Sequence, residues 1–151
     1  MSLRRSKRSK VVAEAVSATV LDALVEESRQ ARSHAYAPYS NFFVGAALVT
    51  DDGRHFTGAN VENASYGVSF CAERVAAATA VATGARRIEA MAVTSSSPAP
   101  TPPCGACRQF LYEFNPEMTI VSEGLKGERK QWRLSALLLD GFSPEDLEGA
   151  R

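Results

Sequence analysis

Apolar and polar residues recur along this chain with two different periods, and the switches between them divide it into elements. Over residues 11–35, Val12, Val16, Val20, Leu21 and Leu24 fall at three-to-four-residue spacing, with Glu14, Asp22, Glu26 and Arg29 between them. That spacing predicts an amphipathic helix, and Ala37-Pro38-Tyr39-Ser40-Asn41 ends it with turn chemistry. Residues 42–50 suit a buried strand, Asp51-Asp52-Gly53 a hairpin turn, and 54–59 a second strand. Residues 60–70 form a polar loop longer than a plain connection requires, and loops of that kind often carry function. Six alanines between 72 and 82 make residues 71–84 strongly helical, with Gly84 as the stop signal. A strand over 88–94, a Ser/Pro-rich loop over 95–103 and a helix over 104–114 follow. The pattern closes with a short strand over 118–121, another over 132–134, and a turn or helix over 135–138. Helix and strand alternate after an opening hairpin, which predicts an α/β sheet covered by helices.

Composition narrows this to one domain. A chain of 151 residues is large enough to bury a core without disulfide staples. The expected division is a basic, disordered tail over 1–10 and a single domain over 11–151. The longest clean apolar stretches, 75–81 and 136–139, are far too short to span a membrane. Net charge is zero but unevenly placed: Arg4, Arg5, Lys7, Arg8 and Lys10 precede the first acid, Glu14. The remainder holds 12 basic against 17 acidic residues, so the body is mildly acidic and ill suited to a large nucleic-acid face. No apolar segment follows the basic stretch, which argues against a secretory signal and for a reducing, cytoplasmic setting.

The chemistry lies in Cys71-Ala72-Glu73 and, 33 residues later, Cys104-Gly105-Ala106-Cys107, which together use all three cysteines. The predicted order explains how they meet. A helix runs away from Cys71, the strand over 88–94 runs back, and the next helix opens with Cys104 and Cys107 on one face. Sulfurs at helix N-termini are favoured as thiolates. A closed structural zinc site wants four protein ligands, and neither His34 nor His55 has ligand spacing to the cysteines. Three thiolates leave a coordination position for water, the arrangement of a catalytic metal. Glu73 is placed to move protons at such a site. Zinc with three thiolates carries a net charge of about −1, so a neighbouring guanidinium, from Arg74 or Arg108, is expected to draw charge from a sulfur. A redox Cys104/Cys107 pair, a structural zinc and buried inert cysteines are the competing readings.

These motifs resemble a known family. Cys71-Ala72-Glu73-Arg74 with Pro103-Cys104-Gly105-Ala106-Cys107-Arg108-Gln109 is similar to the signature of the zinc-dependent cytidine deaminases of the small homotetrameric kind. The likeness extends to Ala37-Pro38-Tyr39-Ser40-Asn41-Phe42, Val44-Gly45-Ala46-Ala47 and Asn60-Val61-Glu62-Asn63-Ala64-Ser65-Tyr66-Gly67, and covers about residues 30–147. The resemblance implies a three-layer α/β/α sandwich around a mixed sheet of about five strands. It implies one Zn²⁺ per subunit on Cys71, Cys104 and Cys107, with Glu73 as proton shuttle. Asn60 and Glu62 would bind the ribose hydroxyls, Phe42 would pack on the pyrimidine, and Ala72 would also contact substrate. Tyr66 and Phe142 would complete a neighbouring subunit's pocket in a homotetramer.

The implied reaction is deamination of cytidine and 2′-deoxycytidine in pyrimidine salvage, with no membrane or nucleic-acid partner. A related nucleoside such as blasticidin S, or a modified cytosine nucleoside, is the nearest alternative. A non-catalytic zinc-binding interaction module is the alternative from another class. Two departures touch the pocket: Phe43 and Leu139 stand where the family usually has proline.

Overall fold

The structure, a computed structural model, describes residues 15–149; the basic tail and the first residues of the predicted first helix lie outside them. Helix α1 (Ala18–Arg32) starts at Ser17, whose hydroxyl accepts the Val20 N–H. Strands β1 (Val44–Thr50) and β2 (His55–Ala59) form the expected hairpin, followed by a single 3₁₀ turn (Tyr66–Val68). Then come α2 (Ala72–Ala82), β3 (Ile88–Ser95), α3 (Gly105–Tyr112), β4 (Thr119–Glu123), β5 (Arg129–Arg133), α4 (Leu134–Leu137) and α5 (Pro144–Glu148).

The five strands make one sheet in the order β2-β1-β3-β4-β5. Only β3 and β4 are parallel; the other neighbours run antiparallel. The sheet is therefore mixed, and its parallel pair needs the crossover that α3 provides.

Alternation along the central strands sorts the core into two layers. Leu48, Met91, Val93 and Ile120 face the alanines of α2 together with Leu111 of α3. Ala47, Ala90, Ala92 and Val121 face Leu21, Leu24 and Val25 of α1. Large strand residues thus meet small helix residues on one face, and the sizes reverse on the other. Glycines allow the closest approaches. A β-carbon on Gly45 would lie 1.9 Å from Ser28 O in α1, and one on Gly58 would lie 2.5 Å from Ala76 N in α2. The three-layer α/β/α sandwich is as the sequence predicts.

The differences lie at the edges. Strand β5 begins at Arg129 rather than 132, because Arg129, Lys130 and Gln131 form an exposed edge strand whose polarity hides it from a hydrophobicity pattern. Strand β4 runs on to Glu123, whose partner across the ladder is Arg129. The unpredicted α5 is held by a capping box between Ser143 and Asp146, with Pro144 at its first position. No helix among the described residues is long and apolar enough to cross a membrane.

Glu123 ties α1 to the sheet edge. It accepts Arg129 Nε at 2.6 Å and Arg29 Nε at 2.9 Å, while Arg129 also pairs with Asp22 of α1. Burial alone would raise the Glu123 carboxyl, but the hydrogen bonds from Arg129 and Arg29 outweigh it and hold it below its ordinary value. Such a group stabilises the fold above its unfolded-state pKa, and the contribution is lost as pH falls through the folded-state value. Glu123→Gln should therefore cost about 1–2 kcal/mol at neutral pH, less than a fully buried pair because the arginines are half exposed. Denaturant titrations should show that cost shrinking in acid. A penalty independent of pH would contradict the assignment.

Candidate active site

The site forms where α2 and α3 begin beside the carboxyl end of β3, the place where ligands collect in sheets with parallel strands. Cys71 is the N-cap of α2 and Cys104 the N-cap of α3, and neither sulfur caps its own helix. Cys107 lies in the first turn of α3, fully buried. Two anchors set the loop that delivers Cys104: Pro103 is fully buried, and its carbonyl accepts Arg108 Nε at 2.7 Å. Cys71 is set by Phe70, whose N–H and C=O each bond Val61 at 2.9 Å.

The three sulfurs lie within 4.8 Å of one another, with Cys71 and Cys104 Sγ 3.8 Å apart. Sulfurs on a tetrahedral zinc ion, each at about 2.3 Å, stand about 3.8 Å from one another. The donor set therefore fits zinc. Among the described residues no other group of three or more His, Cys, Asp or Glu side chains converges in this way. His55 sits instead with Glu27, its Nδ1 2.9 Å from the carboxylate.

Charge is unevenly distributed around the cluster. A hydrogen bond from Cys107 holds the Cys71 thiol down to about 5, with Arg74 and Cys104 adding to the effect. The same bond and burial push Cys107 up, so the pair ionises first at Cys71, on the side of the arginine. Glu73 is buried, and burial raises its carboxyl to about 7, with the Cys71 charge acting in the same direction. A carboxyl in that range exchanges protons readily near neutral pH.

The two arginines part company. Arg74 Nη2 points at Cys71 Sγ, 3.9 Å away, with the guanidinium over the Phe70 ring at 5.6 Å. Its Nε is buried without a hydrogen-bond partner. Arg108 does not reach a sulfur; it donates to the Pro103 and Leu137 carbonyls, and so shapes the loop rather than the metal's charge.

A cleft of ≈ 280 Å³ opens over Cys71, Cys104 and Glu73, lined also by Phe42, Asn60 and Glu62. Ala72 lies on its wall, fully buried. Both amide atoms of Asn60 are engaged: Oδ1 accepts Val44 N–H at 2.8 Å and Nδ2 donates to Phe42 O at 2.8 Å. The amide keeps one N–H and one lone pair for a ligand. Glu62 Oε1 accepts the N–H groups of Tyr39 and Ser40, both at 3.2 Å.

Tyr66 lies outside this cleft, in an adjoining hollow with Tyr39, against which it packs edge-on at 5.7 Å. Phe142 does not line the cleft of its own chain; its backbone bonds the Gln109 side chain in both directions and its ring is exposed. Sequence reasoning missed Phe70, Val93, Thr101 and Pro102 on the cleft walls. Phe70 and Pro102 had a signal in their adjacency to the cysteine motifs, whereas Val93 and Thr101 had none. Phe43, at one of the two departures from the family pattern, donates its N–H to Ser96 Oγ at 3.1 Å, a bond that proline cannot make. Leu139, at the other, is 80% exposed and lies outside the cleft lining.

An open three-thiolate cluster beside a buried carboxylate, at the mouth of a mixed α/β sheet, defines a hydrolytic zinc site. Residues 18–123 match the family described as the cytidine and deoxycytidylate deaminase zinc-binding region. A cytidine deaminase of Halalkalibacterium halodurans is 48% identical over 125 residues, spanning 82% of this chain and 95% of that protein. One from Sporosarcina psychrophila is 44% identical over 131 residues, spanning 86% and 96%. The crystal structure of cytidine deaminase from Burkholderia pseudomallei superposes with a TM-score of 0.78 at 48% identity, over 80% of this chain and 98% of that one. The chain belongs to the cytidine deaminase family of zinc-dependent hydrolases.

Metal analysis should find one zinc per chain. Cys71→Ala and Cys104→Ala should each abolish tight binding, because two remaining thiolates do not complete the site. Zinc retained at full stoichiometry in both variants would place the ion elsewhere.

Proposed function

We propose that this protein deaminates cytidine and 2′-deoxycytidine to uridine and 2′-deoxyuridine, in pyrimidine salvage in the cytoplasm. One observation carries the reading: a single cleft is lined by two of the three proposed metal ligands, by Glu73, and by Phe42, Asn60 and Glu62. A metal alone would suit many hydrolyses. A metal beside an aromatic wall and a pair of polar side chains suits a flat base carrying a sugar.

In the proposed reaction, Cys71, Cys104 and Cys107 would hold a zinc ion, which would supply the Lewis acidity that makes water a competent nucleophile near neutral pH. Glu73 accepts a proton from that water as its oxygen adds to C4, and delivers it to N3 of the base. The second water proton leaves by the same carboxylate, onto the departing amino group, so that ammonia is released and the base becomes uracil. Arg74 draws charge from Cys71, which offsets the electron donation of three thiolates. Phe42 packs on the base, Ala72 lies against it, and Asn60 and Glu62 hold the sugar.

Residues 11–151 act as one domain in this reading, and 1–10 as a basic tail. The exposed apolar residues Tyr66, Phe110, Leu139 and Phe142 are accounted for by a homotetramer in which Tyr66 and Phe142 reach a neighbouring subunit's cleft.

Glu73→Gln should keep its zinc and lose about 10²- to 10⁴-fold in kcat, read as ammonia release from cytidine. Full activity in that variant would remove Glu73 from the reaction. Parallel turnover of cytidine, 2′-deoxycytidine and blasticidin S should favour the first two. Preference for blasticidin S would keep the chemistry and change the substrate. Zinc binding without turnover of any of them would make this a non-catalytic module.

A further inference from the structure

The wall of the cleft that carries Phe42 is held by very few side chains. All six backbone polar groups of residues 42–44 are bonded, and only Ser40, Asn60 and Ser96 supply the partners. Phe42 N–H donates to Ser40 Oγ at 3.0 Å, and Phe42 O accepts Asn60 Nδ2 at 2.8 Å. Val44 N–H donates to Asn60 Oδ1 at 2.8 Å, and Val44 O accepts Asn60 N–H at 3.2 Å. Between them, Phe43 N–H donates to Ser96 Oγ at 3.1 Å and Phe43 O accepts Ser96 N–H at 2.9 Å. Asn41, just before the segment, sits at φ 55, where the chain turns sharply into this wall.

Ser96 follows directly on β3, and its neighbour Ser95 serves another part of the cleft lining. Ser95 Oγ bonds Thr101 Oγ1 at 2.9 Å, and Thr101 lines the cleft beside Pro102. Arg32 Nη1 of α1 donates to Ser95 O at 2.7 Å, which fixes the dipeptide against the far layer. Two adjacent hydroxyls at the end of one central strand therefore each bond a segment that lines the cleft.

We infer that Ser96 is a positioning residue for the deamination, holding Phe42 against the base by clamping Phe43 to the end of β3. The inference rests on the reading of Phe42 as the base-packing residue. Ser96 does not line the cleft, so it acts through the 42–44 backbone. Removing its hydroxyl strands the Phe43 N–H, loosens the wall and weakens binding of the base, while Glu73 and the cysteines stay where they are.

The test is steady-state kinetics on zinc-loaded Ser96→Ala, Ser96→Thr, Phe42→Ala and the Ser96→Ala/Phe42→Ala double variant. For Ser96→Ala, KM for cytidine should rise roughly 3- to 10-fold, the worth of one such hydrogen bond, with kcat falling by less. Ser96→Thr, which keeps the hydroxyl, should restore KM. In the Phe42→Ala background the serine substitution should add no more than about twofold, because residues acting as one unit are not additive. A merely structural role would lower zinc content and kcat together and leave KM alone, and that result would overturn the inference. So would an unchanged KM in Ser96→Ala when Phe42→Ala raises it, or fully additive effects in the double variant. An unchanged KM in Phe42→Ala would overturn the base-packing reading, and the inference with it.

Discussion

Helix α2 lies against β2 with nothing between them at Gly58, where any β-carbon would meet the helix backbone 2.5 Å away. That seating settles where the first turn of α2 can be; Glu73 and Arg74 lie in that turn and Cys71 is its N-cap. The alanines of α2 extend the contact along the helix, accepting Leu48 and Met91 from the sheet. Helix α3 enters from the crossover between β3 and β4, with Pro103 buried and Cys104 immediately after it. Two helices thus present their N-termini at one place, and the three sulfurs meet there within 4.8 Å of one another.

Electrostatics then separates roles among chemically similar groups. Two arginines lie next to the cysteine motifs in sequence, yet only Arg74 faces a sulfur of the cluster, while Arg108 holds loop carbonyls. Two glutamates line the cleft, and burial distinguishes them. Glu73 is enclosed and raised to about 7, whereas Glu62 is partly open and accepts backbone N–H groups. A group poised near neutral pH suits proton transfer; one anchored by the backbone suits recognition.

Much of this is legible in the amino-acid sequence alone. The two-period pattern located the central strands and the three main helices, because their faces are buried on one side and their signals are clean. The cysteine spacing and the path through 88–94 led to a metal cluster, and the alanine run marked α2. Strand β5 escaped because an exposed edge strand carries Arg129, Lys130 and Gln131 and looks like a loop. Thr101 and Ser96 escaped for another reason. Each acts through a hydroxyl or backbone contact with residues 6 and 53 positions away, and serine and threonine in a Pro-rich loop carry no periodic signal. The commitment of the Asn60 amide to the 42–44 backbone was equally invisible, since its sequence context points only to the sugar.

In the reading proposed above, three thiolates from two helix starts hold one zinc ion and leave a position open for water. X-ray absorption at the zinc edge reads this directly. Such a site gives three sulfur scatterers at about 2.3 Å and one lighter scatterer at about 2.0 Å. Four sulfurs, or a first shell of oxygen and nitrogen alone, would contradict it.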